Sequence, residues 1–278
     1  MEVFKMKIYL DSVQETLLLP LWGRAKLSRE GNPILVDPKA VEIVENLDYD
    51  FDRLDKNIPT FVNLISLARA RMFDDTVKNF MLKHPSAVVV NLGCGLDTTF
   101  FRVDNGLIRW YDIDLPDVIE IRKQLIPETD RSHCIAQSIF DMEWAKGINS
   151  IPNDILFFSG GVFPYFHENE IKQLFSDMAN YFPGSEIVFD TVSNLGKFFA
   201  NRTIKNTGMK SATMQWGISN ANKISQWDKR IEVLEQYPLF SRIKRDESWG
   251  KSTIGMVNRS DKQRINNIFH LKFLDART

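Results

Sequence analysis

The chain has 278 residues, 44% of them hydrophobic and 26% charged, a balance that suits a folded globular chain and argues against disorder. A formal net charge of -1 leaves no cationic excess for a nucleic-acid footprint or a polybasic membrane anchor, which points to a small-molecule partner. The two cysteines, Cys94 and Cys134, stand in no ligand spacing, so a disulfide framework and a zinc site are both poorly supported and a reducing, cytoplasmic setting is expected.

The opening stretch to Leu27 is interrupted by Asp11, Gln14, Glu15 and Pro20. It lacks the apolar core of a signal peptide and the ~20-residue run of a bilayer span, so no membrane association is expected. Residues 1–57 read as an accessory helical cap: "DSVQETLLLPLWGRAKLSRE" has apolar residues at helical spacing, and Asp37-Pro38 is a helix-start signal for "DPKAVEIVENL". A longer helix follows in "PTFVNLISLARARMFDDTVKNFMLKH", with Phe61, Leu64, Ile65, Ala68, Met72 and Phe80 on one face.

Beyond it, short apolar runs alternate with helical patterns. "AVVVNL", "LIRWYDI", "HCIAQS", "DILFFSG" and "SEIVFDTV" read as strands, and "LPDVIEIRKQLI" and "ENEIKQLFSDMANYF" as helices between them. That alternation predicts βαβ units, hence an α/β fold with a mostly parallel, doubly wound sheet covered on both faces, its cofactor-binding core over residues 58–192. Residues 193–226 loosen into an Asn-, Ser- and Gly-rich insertion studded with Phe198, Phe199, Met209, Met214 and Trp216. It reads either as a lid or as a surface helix and loop packing its own apolar residues. The last part, 227–278, ends in "NIFHLKFLDA", a closing strand of the same single domain.

In a doubly wound sheet the ligand lies beyond the carboxyl ends of the strands, where glycine lets backbone approach it closely. Gly93 and Gly95 occupy that place after the first strand. A dinucleotide fingerprint needs a third small residue at position 98, where this chain has Thr98, which weakens a nicotinamide or flavin reading. Asp114, 21 positions after Gly93, is placed to accept hydrogen bonds from ribose hydroxyls. A ribose partner without a pyrophosphate turn points to S-adenosylmethionine. The alternative is a plain strand-to-helix turn in which Asp114 caps the helix opened by Pro116. Cys94 between the glycines is read as steric filling rather than a nucleophile, and His84, His133, His167 and His270 share no metal-ligand spacing.

The segments "ARARMFDD", "VVNLGCGLDTTFFR", "WYDIDLPDVIEIRKQL", "SIFDMEW" and "FFSGGVFPYF", in this order and spacing, resemble the leucine carboxyl methyltransferase family, in particular its bacterial branch of polyketide-type O-methyltransferases. The resemblance implies a Rossmann-like class I methyltransferase with a seven-stranded sheet, using S-adenosyl-L-methionine and releasing S-adenosyl-L-homocysteine. It implies that Arg69 pairs the cofactor's carboxylate, with Arg71 as a possible sharer. Gly93 and Gly95 would lie under the cofactor, Asp114 would hold the ribose with Asp112 as second choice, and Ser138 and Ile139 would border the adenine. Two positions depart from the pattern. Gly160 stands where the family usually has an acid for the cofactor's amino group, and Ser138 stands where the protein-methylating members carry an acid.

The resemblance leaves the acceptor open. A carboxylate needs no general base, whereas a phenol benefits from one, for which Tyr165 and His167 are the nearest candidates. Phe198, Phe199, Met209 and Trp216 would form an apolar acceptor pocket for a small organic acid or phenol. A protein C-terminal carboxylate is the second choice, and a binding protein that has lost turnover is a third reading, motivated by Gly160.

Overall fold

The computed structural model describes residues 15–32, 34–56, 58–148, 154–207 and 213–275. Met209 lies outside them. Seven strands form one sheet in the order β3-β2-β1-β4-β5-β7-β6: β1 (Val88–Leu92), β2 (Arg109–Asp114), β3 (Ser132–Ala136), β4 (Ile155–Ser159), β5 (Glu186–Val192), β6 (Ile231–Pro238) and β7 (Asn266–Phe273). The first five pair in parallel, with Val88 beside both Arg109 and Ile155. β7 runs antiparallel to β5 and β6.

The strands are legible as unbroken apolar runs because both faces of the sheet are covered. Side chains alternate between two cores: Val88, Val90 and Leu92 enter one with Phe157, Ile187 and Phe189, while Val89 enters the other with Leu156, Phe158 and Val188. The first core is closed by α7 (Glu168–Tyr181), which contributes Ile171, Leu174, Phe175 and Met178. The second is closed by α4 (Thr60–Met81) and α9 (Gly250–Lys262), through Leu64, Leu67, Ala68, Phe73 and Val257.

The N-terminal layer comprises α1 (Glu15–Arg29), α2 (Pro38–Asn46) and α3 (Phe51–Asp55). Asp37 caps α2, accepting the Ala40 N–H at 3.0 Å. Leu18, Leu21, Trp22 and Ala25 of α1 pack with Ile43, Val44 and Phe51, and against Leu96 and Ile121 of the sheet domain. The layer therefore rests directly on the loop after β1. Burial of each such large side chain contributes roughly 1.5–3 kcal/mol.

The edge strand β6 is absent from the sequence-based elements. It pairs on one side only, is bulged between Val233 and Glu235, and mixes charges with its apolar residues, so no continuous run marks it. Among the described residues no helix is long and apolar enough to cross a membrane.

Candidate active site

The strand order reverses between β1 and β4, and the turns leaving these two neighbours face each other. After β1, Gly93 and Gly95 adopt φ of 72° and 47°, the left-handed region that side chains avoid. A Cβ on Gly93 would stand 2.5 Å from Cγ2 of Val162, which belongs to the turn after β4. One on Gly95 would stand 3.1 Å from Leu17 of α1. The turn is thus confined by the neighbouring turn and the N-terminal layer, and the absent side chains leave a backbone cradle.

Asp114 ends β2 beside this cradle, where its carboxylate accepts the Gly95 and Leu115 N–H groups, each at 2.8 Å. Burial pushes its carboxyl upward, partly countered by these two donors. The helix that follows, α6 (Pro116–Leu125), has Leu115 at its N-cap, so Asp114 is tied to the glycine turn as much as to the helix start. Asp112 lies two residues back on the same face of the strand and is committed elsewhere. Arg122 donates to it at 2.7 Å, Asn91 donates at 3.0 Å, and both members of the Asp112–Arg122 pair are almost fully buried. Arg122 also donates to the Gly95 and Asp97 carbonyls, so this pair supports the turn from beneath.

The run after the turn is a structural lock. Arg24 bridges from α1 to Asp37 at 2.9 Å and to the Leu96 carbonyl at 2.9 Å. Arg102, in α5 (Thr99–Val103), donates to Asp37 at 2.7 Å and to both carboxylate oxygens of Asp74 at 2.9 Å, while the Thr98 hydroxyl donates to Asp37 at 2.6 Å. Thr98 and Arg102 therefore act inside the fold. The network joins α1, the α2 cap, α4 and the turn, and fixes the cradle against the N-terminal layer.

At the second turn, Arg69 of α4 reaches across to Gly160 and Gly161. A Cβ on Gly161 would meet the Arg69 guanidinium at 2.7 Å, and one on Gly160 would meet Phe73 at 2.8 Å. An acid at position 160 would collide with the Phe73 ring, so the packing of α4 suits a glycine there. Asp190, inside β5, holds this arrangement: one oxygen accepts the Gly161 N–H at 2.6 Å and the other accepts from Arg69 at 3.1 Å. The Tyr165 phenol lies within electrostatic reach of both charges, and burial pushes its pKa up.

The remaining sequence candidates fall into three places. Ser138 accepts the Phe140 N–H in the turn after β3, and Ile139 points into the core below it. Arg71, about 200° around α4 from Arg69, pairs with Asp75 and donates to the Ile34 carbonyl on the outer face, so it is not brought to the site. His167 is the N-cap of α7, its N–H donating to Glu170 at 2.8 Å. It borders a cleft of about 410 Å³ with Glu168, Asn169, Asn194, Lys197 and Gln215.

The 193–226 segment begins with α8 (Asn194–Thr207) and returns in an extended stretch. Asn201 makes two hydrogen bonds to Met214, Lys197 donates to the Gln215 carbonyl, and the Gln215 and Trp216 N–H groups donate to the Pro164 carbonyl. Trp216 lines the His167 cleft with Gly217 while most of its indole is buried near Trp227, and its backbone anchors the segment to the β4 turn. Phe198 and Phe199 remain on the surface, 62% and 50% exposed. Cys94 is buried, and desolvation holds its thiol well above the ordinary value, which removes it as a nucleophile.

A 3-2-1-4-5-7-6 sheet with an antiparallel β7, a glycine cradle after β1 and an acid ending β2 defines a class I S-adenosylmethionine-dependent methyltransferase. The chain belongs to the leucine carboxyl methyltransferase family, whose model matches residues 18–179. It is 34% identical over 242 residues to the tetracenomycin polyketide synthesis O-methyltransferase TcmP of Streptomyces glaucescens, covering 84% of this chain and 85% of that protein. It is 31% identical over 260 residues to the S-adenosyl-L-methionine-dependent methyltransferase dpfgK of Gibberella zeae, covering 84% and 86%. A crystal structure described as a putative methyltransferase from Thermobifida fusca superposes with a TM-score of 0.59 at 14% identity, covering 91% of this chain and 94% of that one. The cofactor is therefore S-adenosyl-L-methionine, and the cradle, with its two positive-φ glycines and adjoining carboxylate, fits it.

Proposed function

We propose that this enzyme is an O-methyltransferase acting on a small organic acid or phenol. The observation that carries the reading is the cleft of about 410 Å³ between the start of α7 and the 193–226 segment, lined by His167, Lys197 and Trp216 among others, within the range of small-molecule sites. The likeness to a polyketide O-methyltransferase over most of both chains supports it.

The residues then divide the work. Gly93 and Gly95 admit the cofactor to the backbone, Asp114 accepts from its ribose hydroxyls, Ser138 and Ile139 border the adenine, and Arg69 pairs with the carboxylate of its amino-acid end. A guanidinium suits that partner because it offers two donors in a rigid fork. Bound S-adenosylmethionine would supply a methyl group on a sulfonium for direct transfer to an acceptor oxygen, already ionised in an acid or losing its proton to solvent in a phenol, with no residue covalently engaged. The protein's part is to align the acceptor and keep water out. Tyr165, a partly exposed phenol whose pKa is raised, orients an acceptor by donating a hydrogen bond rather than by taking a proton.

Transfer of labelled methyl from S-adenosylmethionine to a panel of benzoic acids, phenols and leucine-ended peptides tests this. Labelled phenols or benzoates support the proposal. Transfer to the peptides alone makes the protein-carboxyl reading the correct one, and cofactor binding without any turnover makes the chain a binding protein.

A further inference from the structure

Packing denies position 160, after β4, a side chain, since its Cβ would lie 2.8 Å from the Phe73 ring. A buried carboxylate nevertheless reaches the same turn from the next strand. Asp190 accepts from the Gly161 N–H at 2.6 Å and from Arg69 Nη1 at 3.1 Å, and its side chain and that of Arg69 are 11% and 15% exposed. Both of its oxygens are thus engaged within the protein, while Nε and Nη2 of Arg69 have no hydrogen-bond partner among the described residues.

We propose that Asp190 is the positioning residue of the cofactor's amino-acid end: it clamps the Arg69 guanidinium flat against Gly161, with Nε and Nη2 directed to the carboxylate. The clamp is built from both sides. Gly161 has φ of 73° and lacks the Cβ that would strike Nη1 at 2.7 Å, so the turn leaves room for the guanidinium while its N–H fixes the carboxylate that holds it. A free arginine side chain loses rotamer entropy on binding an anion; one already held by a buried carboxylate has lost it in advance. Asp190 acts through Arg69 and does not itself touch the cofactor.

The inference rests on the S-adenosylmethionine site assigned above, and the test separates the two. Titration calorimetry compares S-adenosylhomocysteine, which has the amino-acid end, with 5′-methylthioadenosine, which lacks it. The proteins are wild type, D190N, D190A, R69A and the double variant R69A/D190A. D190A weakens S-adenosylhomocysteine by about tenfold or more, the size of a lost hydrogen bond to a charged group, and leaves methylthioadenosine within twofold. D190N, which keeps an acceptor for Gly161 but loses the charge, falls between wild type and D190A. In the R69A background D190A has no further effect or restores some binding, because it removes an unpaired carboxylate.

Equal weakening of both ligands by D190A overturns the proposal in favour of a merely structural role. A further tenfold loss from D190A in the R69A background overturns it in favour of direct contact with the cofactor's ammonium. Failure of wild type to bind either ligand refutes the underlying site instead.

Discussion

Gly93→Ala puts the confinement of the cradle to a quantitative test. Holding an alanine at φ of 72° costs about 1–2 kcal/mol. The new methyl would lie 2.5 and 2.9 Å from the two γ-carbons of Val162, and relieving such contacts inside packed structure costs about 1–3 kcal/mol. The less flexible unfolded chain returns about 0.4–1 kcal/mol. The net loss is about 1–4.5 kcal/mol, read as a lower midpoint in urea unfolding with an unchanged slope. Val162→Ala removes both γ-carbons and leaves its Cβ at 3.3 Å, so in that background Gly93→Ala costs only the backbone part. The cycle then gives a coupling of about 1–3 kcal/mol. A Gly93→Ala protein within about 0.5 kcal/mol of wild type, or strictly additive variants, would refute the argument that the two turns press on each other.

Two further outcomes follow from the charges around the site. Burial works to raise the Asp37 carboxyl, but Arg102 and Arg24, with Thr98 and the Ala40 N–H, outweigh it and hold it below the ordinary 3.8. A depressed carboxylate stabilises the fold above its unfolded pKa and loses that contribution as pH falls through the lower folded value. Asp37→Asn therefore costs about 3 kcal/mol at pH 7 and flattens the loss of stability below about pH 4, measured by denaturant melts across that range. Tyr165→Phe lowers kcat/KM by about tenfold and leaves the shape of the rate profile unchanged up to about pH 9, since a phenol whose pKa is raised stays protonated there. A wild-type rate that rises with pH below 9, and a Phe variant that lacks the rise, would restore the base role.

Most of the sheet was readable because five parallel strands, buried on both faces, write themselves as apolar runs bounded by turns. β6 was not, since one-sided pairing lets Glu232 and Glu235 sit among its apolar residues. The glycine turn and Asp114 were readable because both lie on short-range spacings around one βαβ unit. Asp190 was not: it stands among other polar residues in the run "SEIVFDTV", and its partner Arg69 lies 121 positions away. A buried ion pair across that separation leaves no local pattern, although a carboxylate directly after the apolar Ile187–Phe189 run is itself a weak signal. Trp216 was readable as a cleft residue but not as a largely buried one. An aromatic in a loose segment reads as exposed, and only the tertiary contact with Trp227 turns it inward.

The central claim is that S-adenosylmethionine sits on the Gly93–Gly95 cradle with its ribose on Asp114. Calorimetric titration of S-adenosylhomocysteine into wild type and Asp114→Ala tests it most directly. The account predicts one site per chain and a loss of about tenfold or more in affinity for the variant, from two hydrogen bonds to a charged acceptor. Equal affinity in the two proteins, with the variant folded, would contradict it.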